Sequence, residues 1–225
     1  WTLTNSGTLT ISGKGAMPDF SESRPPWYEK TFRVIVIEEG ITSIGDYAFY
    51  QEKGKSSVHS LYIPSSVEKI GSSAFRNSNL VSADIPGSVE SIGNDAFRDC
   101  ENLTSVTLNE GIKIIGSEAF RACTSLNYID FPASITTINF GAFMSCGLTR
   151  ARFAPGSQKV VLGDSVFTQC WYLEEVSLPE NLESLPKGIF ESCKSLFSLY
   201  IPKSVTEIGA GAFTSSSYLS EIIFG

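Results

Sequence analysis

Five cysteines, Cys100, Cys123, Cys146, Cys170 and Cys193, each stand three residues after a phenylalanine, a regularity that raises the question of metal or redox chemistry. Zinc needs ligands that converge from different directions onto a tetrahedron. Cysteines in one slot of a repeated unit fall instead on a straight column, and parallel side chains make the disulfide torsion near 90° awkward. Ser78 and Ser216 take the same slot in flanking units, and the cysteine count is odd. The slot is read as a place for a small side chain, with buried free thiols acting as small hydrophobes. His59 is the one histidine, so any Ser-His-Asp or Cys-His arrangement would have to be built on it. It falls on an outward strand position after the Tyr50–Ser57 insertion and reads as exposed. A single histidine also excludes the usual two- or three-histidine metal sites. Gly13-Lys14-Gly15 lacks the rest of a phosphate loop. The pairs Glu38-Glu39 and Glu174-Glu175 could in principle serve glycoside hydrolysis, but on a regular wall they read as solvated. The sequence therefore predicts no catalytic residue, no metal site, no cofactor and no enzyme activity.

What positions these residues is a repeat. Phe49, Phe75, Phe97, Phe120, Phe143, Phe167, Phe190 and Phe213 are separated by 26, 22, 23, 23, 24, 23 and 23 residues, each after Ala except for Val166 and Ile189. A period of this length means one small unit stacked on copies of itself. The unit from Leu103 to Phe120, LTSVTLNEGIKIIGSEAF, opens with alternating apolar and polar residues, a short strand with one buried face. Pro64, Pro86, Pro132, Pro179 and Pro202 end that strand. The V-x-x-I pair that follows suits a second very short strand or an extended segment, and Gly-x-x-Ala-Phe suits a single helical turn. No such unit buries its own apolar face, so each leans on its neighbours. Nine strands begin near Phe32, Val58, Leu80, Leu103, Leu126, Leu148, Leu173, Leu196 and Leu219. At about 4.8 Å per strand they make a sheet on the order of 40 Å long. The expected fold is an α/β repeat solenoid: a curved, right-handed coil with a parallel sheet on its concave wall, short helical turns, and an N-terminal β-hairpin cap.

The pattern L-x-x-V-x-I-P-x-S-V-x-x-I-G-x-x-A-F-x-x-C resembles the BspA-like leucine-rich repeat, and the resemblance covers almost the whole chain. The opening WTLTNSGTLTISGKGAMPDF, followed by PPWYEKTFRVIVIEEGITSIGDYAFY, is similar to the cap that precedes such repeats. The resemblance implies a bacterial surface or secreted protein, and adhesion to host matrix proteins or other cells. The domains expected are a cap over 1–31 and a solenoid over 32–225. Thr2 to Ile11 reads as two short strands turning at Asn5-Ser6-Gly7, with Trp1, Phe20 and Trp27 sealing the apolar end of the stack. The abrupt start on Trp1 and the stop after LSEIIF suggest an excised fragment without its targeting segment.

At 225 residues and 42% hydrophobic, the chain is long enough to bury a substantial core. A formal charge of −7, without any Lys or Arg run, argues against a nucleic-acid partner. No apolar stretch reaches 18 residues, so no segment of this chain is expected to insert into a membrane.

Binding is therefore sought on strand residues that point away from the core. One outward column runs Val36, Tyr62, Asp84, Thr107, Asp130, Arg152, Ser177, Tyr200 and Ile223. A second runs Val34, Ser60, Ser82, Ser105, Tyr128, Arg150, Glu175, Ser198 and Glu221, and a third includes His59, Asn127, Glu174 and Phe197. The candidate partner-binding residues are Tyr62, Tyr128, Asp130, Arg150, Arg152, Glu175, Phe197 and Tyr200, since Tyr and Arg are favoured at binding hot spots. The competing reading makes Asp130–Arg152 and Arg150–Glu175 mere cross-strand ion pairs that neutralise the ladder. The irregular repeat spanning 154–167, beside the arginine strand, favours a recognition patch. Three functions stay open: recognition of a protein partner, a passive spacer for another domain, and glycan binding with Tyr62, Tyr128, Tyr200 and Phe197 as stacking platforms.

Overall fold

A computed structural model describes residues 1–20, 24–156 and 159–225. The chain winds as a parallel-sheet β-solenoid of about nine turns. The main wall is built from Val34–Ile37, Ser60–Tyr62, Ser82–Ile85, Ser105–Leu108, Tyr128–Phe131, Arg150–Phe153, Glu175–Ser177, Ser198–Ile201 and Glu221–Phe224. Registers follow the repeat: Val36 lies opposite Tyr62, Asp84 opposite Thr107, Asp130 opposite Arg152, and Tyr200 opposite Ile223. Strands such as Tyr128–Phe131 bury alternate residues, which is what a one-sided sheet requires of a period-two sequence. The wall also continues two strands further than the repeat does. Thr8–Ile11 pairs in parallel with Val34–Ile37, and Thr2–Leu3 closes the outer edge antiparallel to it. An antiparallel hairpin thus occupies the edge of the sheet, where unpaired strand groups would otherwise face solvent.

The V-x-x-I segments form a second parallel ladder. It runs through Ile41–Ile44, Lys69–Ile70, Ser91–Ile92, Ile114–Ile115, Thr137–Ile138 and Val161–Leu162, and resumes at Ser184–Leu185 and Glu207–Ile208. The prolines between the two ladders end one strand and seed the next turn. Val67, Val89, Ile135, Leu182 and Val205 each donate their N–H to the carbonyl of the proline three residues earlier.

The expectation of an α/β fold with helical turns is corrected here, because no helix occurs among the described residues. The Gly-x-x-Ala-Phe-x-x-Cys segments are runs of tight turns. A left-handed residue recurs in them every four positions, as at Ser73 and Asn77 or Asp95 and Asp99, with φ between 52° and 61°. A helix cannot pass through such residues, which cost L-amino acids roughly 1–2 kcal/mol each. Neighbouring coils supply the compensation. Ser73, Phe75 and Asn77 donate their N–H groups to the carbonyls of Asn94, Ala96 and Arg98 in the next coil at 2.8–2.9 Å. These donors, which a helix would satisfy internally, instead form a third ladder along the stack.

Inside lie columns of like residues. Phe75, Phe97, Phe120 and Phe143 are fully buried, with successive ring centroids 5.1–5.2 Å apart and planes within 17° of parallel. Trp27 caps the column, stacked on Phe49 at 5.6 Å, with its indole N–H donated to the Ala48 carbonyl at 2.8 Å. Trp1 and Phe20 pack edge-on against Trp27, as the expected aromatic seal requires. Glycines such as Gly93 sit where coils touch. A Cβ there would lie 2.6 Å from the Gly71 carbonyl carbon and the Ser72 nitrogen.

Candidate functional site

All five cysteines are buried free thiols in one column. Each donates its S–H to the carbonyl of the preceding coil's repeat phenylalanine: Cys100 to Phe75, Cys123 to Phe97, Cys146 to Phe120, Cys170 to Phe143 and Cys193 to Phe167, at 3.0–3.2 Å. Ser216 repeats the bond to Phe190 at 2.6 Å. The slot therefore requires a small donor, which is why Ser and Cys interchange. Burial pushes the thiols of Cys100 and Cys193 up to about 12, and those of Cys123 and Cys170 well above the ordinary range. Thiolate is the nucleophile and the metal ligand, so these thiols are chemically quiet. Among the described residues, no three His, Cys, Asp or Glu side chains gather as a metal site. His59 is exposed, with Nδ1 2.8 Å from the Ser60 hydroxyl.

The outward face of the wall carries every predicted partner-binding residue, in two groups and one isolated position. Tyr128 and Asp130, Arg150 and Arg152, and Glu175 occupy three hydrogen-bonded strands in consecutive order. Their ion pairs run diagonally, which corrects the straight pairing expected from register. Arg152 reaches Glu175 rather than Asp130, with Nε and Nη2 donating to Oε1 at 2.9 and 2.7 Å and Nη2 to Oε2 at 2.9 Å. Arg150 turns the other way, its Nη2 3.6 Å from Asp130 Oδ2 and its guanidinium carbon 5.2 Å from the Tyr128 ring centre. Diagonal neighbours on a sheet lie within reach of long side chains. In this diagonal arrangement Arg152 has a planar two-point contact and Arg150 lies near an aromatic face.

Tyr62 stands alone, three strands before Tyr128 on the wall. Tyr200 lies on Ser198–Ile201, two strands beyond Arg150–Phe153, and Phe197 immediately precedes that strand. At about 4.8 Å per strand, Tyr62, Tyr128 and Tyr200 are each roughly 14 Å from the next. They are separate plates and do not close on one sugar ring. All are open to solvent, Tyr62 at 57%, Tyr128 at 41%, Tyr200 at 53% and Phe197 at 62%. Of the irregular repeat, Ser157 and Gln158 lie outside the described residues.

Reading only the strand columns misses a second set of exposed aromatics. Trp171, Tyr172 and Tyr218 lie at the corner between the cysteine turn and the wall, exposed at 49, 60 and 69%. The repeat itself carries the signal. Tyr172 and Tyr218 take a slot that holds Asn102, Ser125 and Ser195 in other coils.

The family model of the BspA type leucine rich repeat region matches residues 26–149 and 153–225, in six copies. A leucine-rich repeat protein of T. pallidum is 33% identical, with 68% of this chain and 72% of that one covered at a TM-score of 0.64. The pneumococcal vaccine antigen PcpA, 19% identical, aligns over 98% of this chain and 72% of its own at a TM-score of 0.55. A leucine-rich repeat protein from Bacteroides ovatus, 21% identical, aligns over 93% and 72% at 0.51. The last two likenesses concern the fold alone. No curated protein matches the chain. With the repeat pattern, the stacked core and the family match in agreement, the chain belongs to the BspA-type leucine-rich repeat family.

Proposed function

We propose that this chain is a non-catalytic binding module of a bacterial surface or secreted protein, recognising a protein partner through the outward face of its strand wall. Leucine-rich repeats of this type generally serve protein interaction. The observation that carries it is the group on three consecutive strands: an exposed tyrosine under one arginine, beside a second arginine held two-point by Glu175. Tyr and Arg are the side chains most often found at hot spots. Holding Arg152 in one geometry before binding lowers the ordering cost of association. Tyr62, Phe197 and Tyr200 extend the same face toward either end, and Asp130 sets the direction of Arg150.

The test is a triple substitution, Tyr128→Ala with Arg150→Ala and Arg152→Ala, measured by surface binding against a panel of extracellular matrix proteins. The wild type binds at least one of them and the variant loses that binding, while its circular dichroism stays unchanged. A partner held equally well by both would refute the placement. Absence of any ligand would favour the spacer.

A further inference from the structure

The corner aromatics are not explained by packing. In its slot Tyr172 has coils on both sides, yet it is 60% exposed, so its exposure does not come from lying near the end of the stack. Equivalent corner slots hold Asn102, Ser125 and Ser195 elsewhere, residues that suit a tight turn. Phe197 takes a position that is Thr104, Asn127 and Thr149 in other coils. At these positions Trp171, Tyr172, Phe197 and Tyr218 leave about half or more of their surface in solvent.

Their surroundings are mainly acidic, the exposed Lys194 in the Trp171 slot of the intervening coil being the exception. Glu174 precedes the strand next to that of Phe197, and Glu221 lies beside Ser198 on the other side. Among the described residues, neither carboxylate has an ion-pair or hydrogen-bond partner, whereas Glu175 is taken by Arg152. Between residues 171 and 225 there are seven Glu, no Asp and three Lys with no Arg. Aromatic faces beside free carboxylates suit a cation, which each attracts independently.

Spacing narrows the shape of that ligand. Tyr172 and Tyr218 share one slot two coils apart, about 9.6 Å at the usual strand separation. A polyproline II chain repeats every three residues, about 9.3 Å. The adjoining aliphatics Leu173 and Leu196 are buried, so the corner lacks the apolar groove an amphipathic helix needs. Proline rings on aromatic plates are the established alternative, and the ligand's preformed conformation keeps the ordering cost low.

We infer that the corner formed by Trp171, Tyr172, Phe197 and Tyr218, with Glu174 and Glu221, binds a proline-rich, arginine-bearing segment of a partner protein in polyproline II conformation, lying along the stack. The inference rests on the reading of the chain as a binding module; its site lies toward the C-terminal end of the wall and its corner, sharing Phe197 with the wall face but none of the central residues Tyr128, Arg150 and Arg152.

The probe is the peptide (Arg-Pro-Pro)5, titrated while following tryptophan emission, to which Trp171 contributes at the site, and repeated by calorimetry. The controls are (Glu-Pro-Pro)5 and (Arg-Gly-Ser)5. The arginine–proline peptide binds, and the other two bind at least about tenfold more weakly, as loss of charge or of preorganisation requires. Phe197→Ser with Tyr218→Ser, each a residue type other coils tolerate nearby, weakens binding by about tenfold or more. Glu174→Gln with Glu221→Gln flattens the salt dependence. The Tyr128, Arg150 and Arg152 triple variant binds the peptide as the wild type does, so this surface and the central patch succeed or fail separately. No binding, equal binding of (Glu-Pro-Pro)5, or insensitivity to the aromatic substitutions overturns the inference.

Discussion

Removal of one ring from the middle of the phenylalanine column gives the most direct test of the stacked architecture. Phe120 is fully buried, with Phe97 at 5.1 Å on one side and Phe143 at 5.2 Å on the other. Phe120→Ala leaves a cavity between two rigid coils whose backbones are tied by inter-coil hydrogen bonds, including Phe120 N–H to the Ala142 carbonyl at 2.8 Å. The coils cannot close on it, so the cost is about 3–5 kcal/mol. For a chain of this size that is a fall in melting temperature of roughly 10 °C. Phe213 is only partly buried and stacks on one ring, Phe190, at 6.0 Å. Phe213→Ala should cost on the order of 2 kcal/mol, because its ring has one stacked neighbour and is only partly buried. Thermal melting ranks the two variants. Hydrogen exchange then shows where protection is lost: across the central coils for Phe120→Ala, and confined to the last coil or two for Phe213→Ala. Equal losses in both variants, or protection lost uniformly in both, would refute the nearest-neighbour account of stability.

Gly93→Ala places a methyl 2.6 Å from backbone atoms of the preceding coil and should cost about 1–3 kcal/mol in a denaturant titration; an unchanged midpoint would show that the coils can part freely. The five thiols should resist alkylation at pH 8 in the folded protein and all react once it is denatured under non-reducing conditions, counted by mass. The same burial sets the sign of the alkaline limb. Cys100 and Cys193 titrate near 12 when folded and near the ordinary thiol range when unfolded. Between those values the unfolded chain binds fewer protons, so stability is intact below about pH 9 and is lost as pH rises toward 12, on the order of 1 kcal/mol per pH unit per thiol. Cys100→Ser, which keeps the donor to Phe75, should soften that loss; a stability flat from pH 8 to 11 would contradict the buried column.

The wall is legible in the sequence because two constraints act on each strand at once. Alternation sets which residues face inward, and the repeat length sets which become neighbours, so Tyr128, Arg150 and Glu175 fall in one line as their spacing predicts. The turns are less legible. Gly-x-x-Ala-Phe has a length and spacing compatible with one helical turn, but the choice between helix and left-handed turn is made by the adjacent coil, which accepts the N–H groups of Phe75 or Phe97. No single-unit reading contains that partner. The diagonal ion pairs are hidden for a related reason: register gives Cα neighbours, while an arginine side chain spans the next residue pair as well. On the turn face, Arg98 bridges Asp95 and Glu118 at 2.8 and 2.5 Å, and Arg121 shares Glu118 at 2.8 Å. The Arg98–Glu118 contact joins neighbouring coils, and the column logic of the strands identifies it once it is applied to the turns.

A repeat of this kind separates two demands on the sequence. Inward slots are nearly interchangeable between coils, since each must fill the same space against the same neighbours, as the Phe column and the Cys/Ser column show. Outward slots carry no such demand, so a large or charged residue there is not required by packing. Arg150 and Arg152 break a wall that holds Ser82, Asp84, Ser105 and Thr107 in equivalent places, and Tyr172 and Tyr218 break a corner of Asn and Ser. The two departures involve different residues and differ in chemistry, one a guanidinium and phenol pair, the other aromatic and acidic. If the solenoid were only a spacer, substitutions at both places would leave stability and every binding measurement unchanged. If it recognises partners, each place should lose its own ligand without disturbing the fold, because neither set of side chains contributes to the buried columns that hold the coils together.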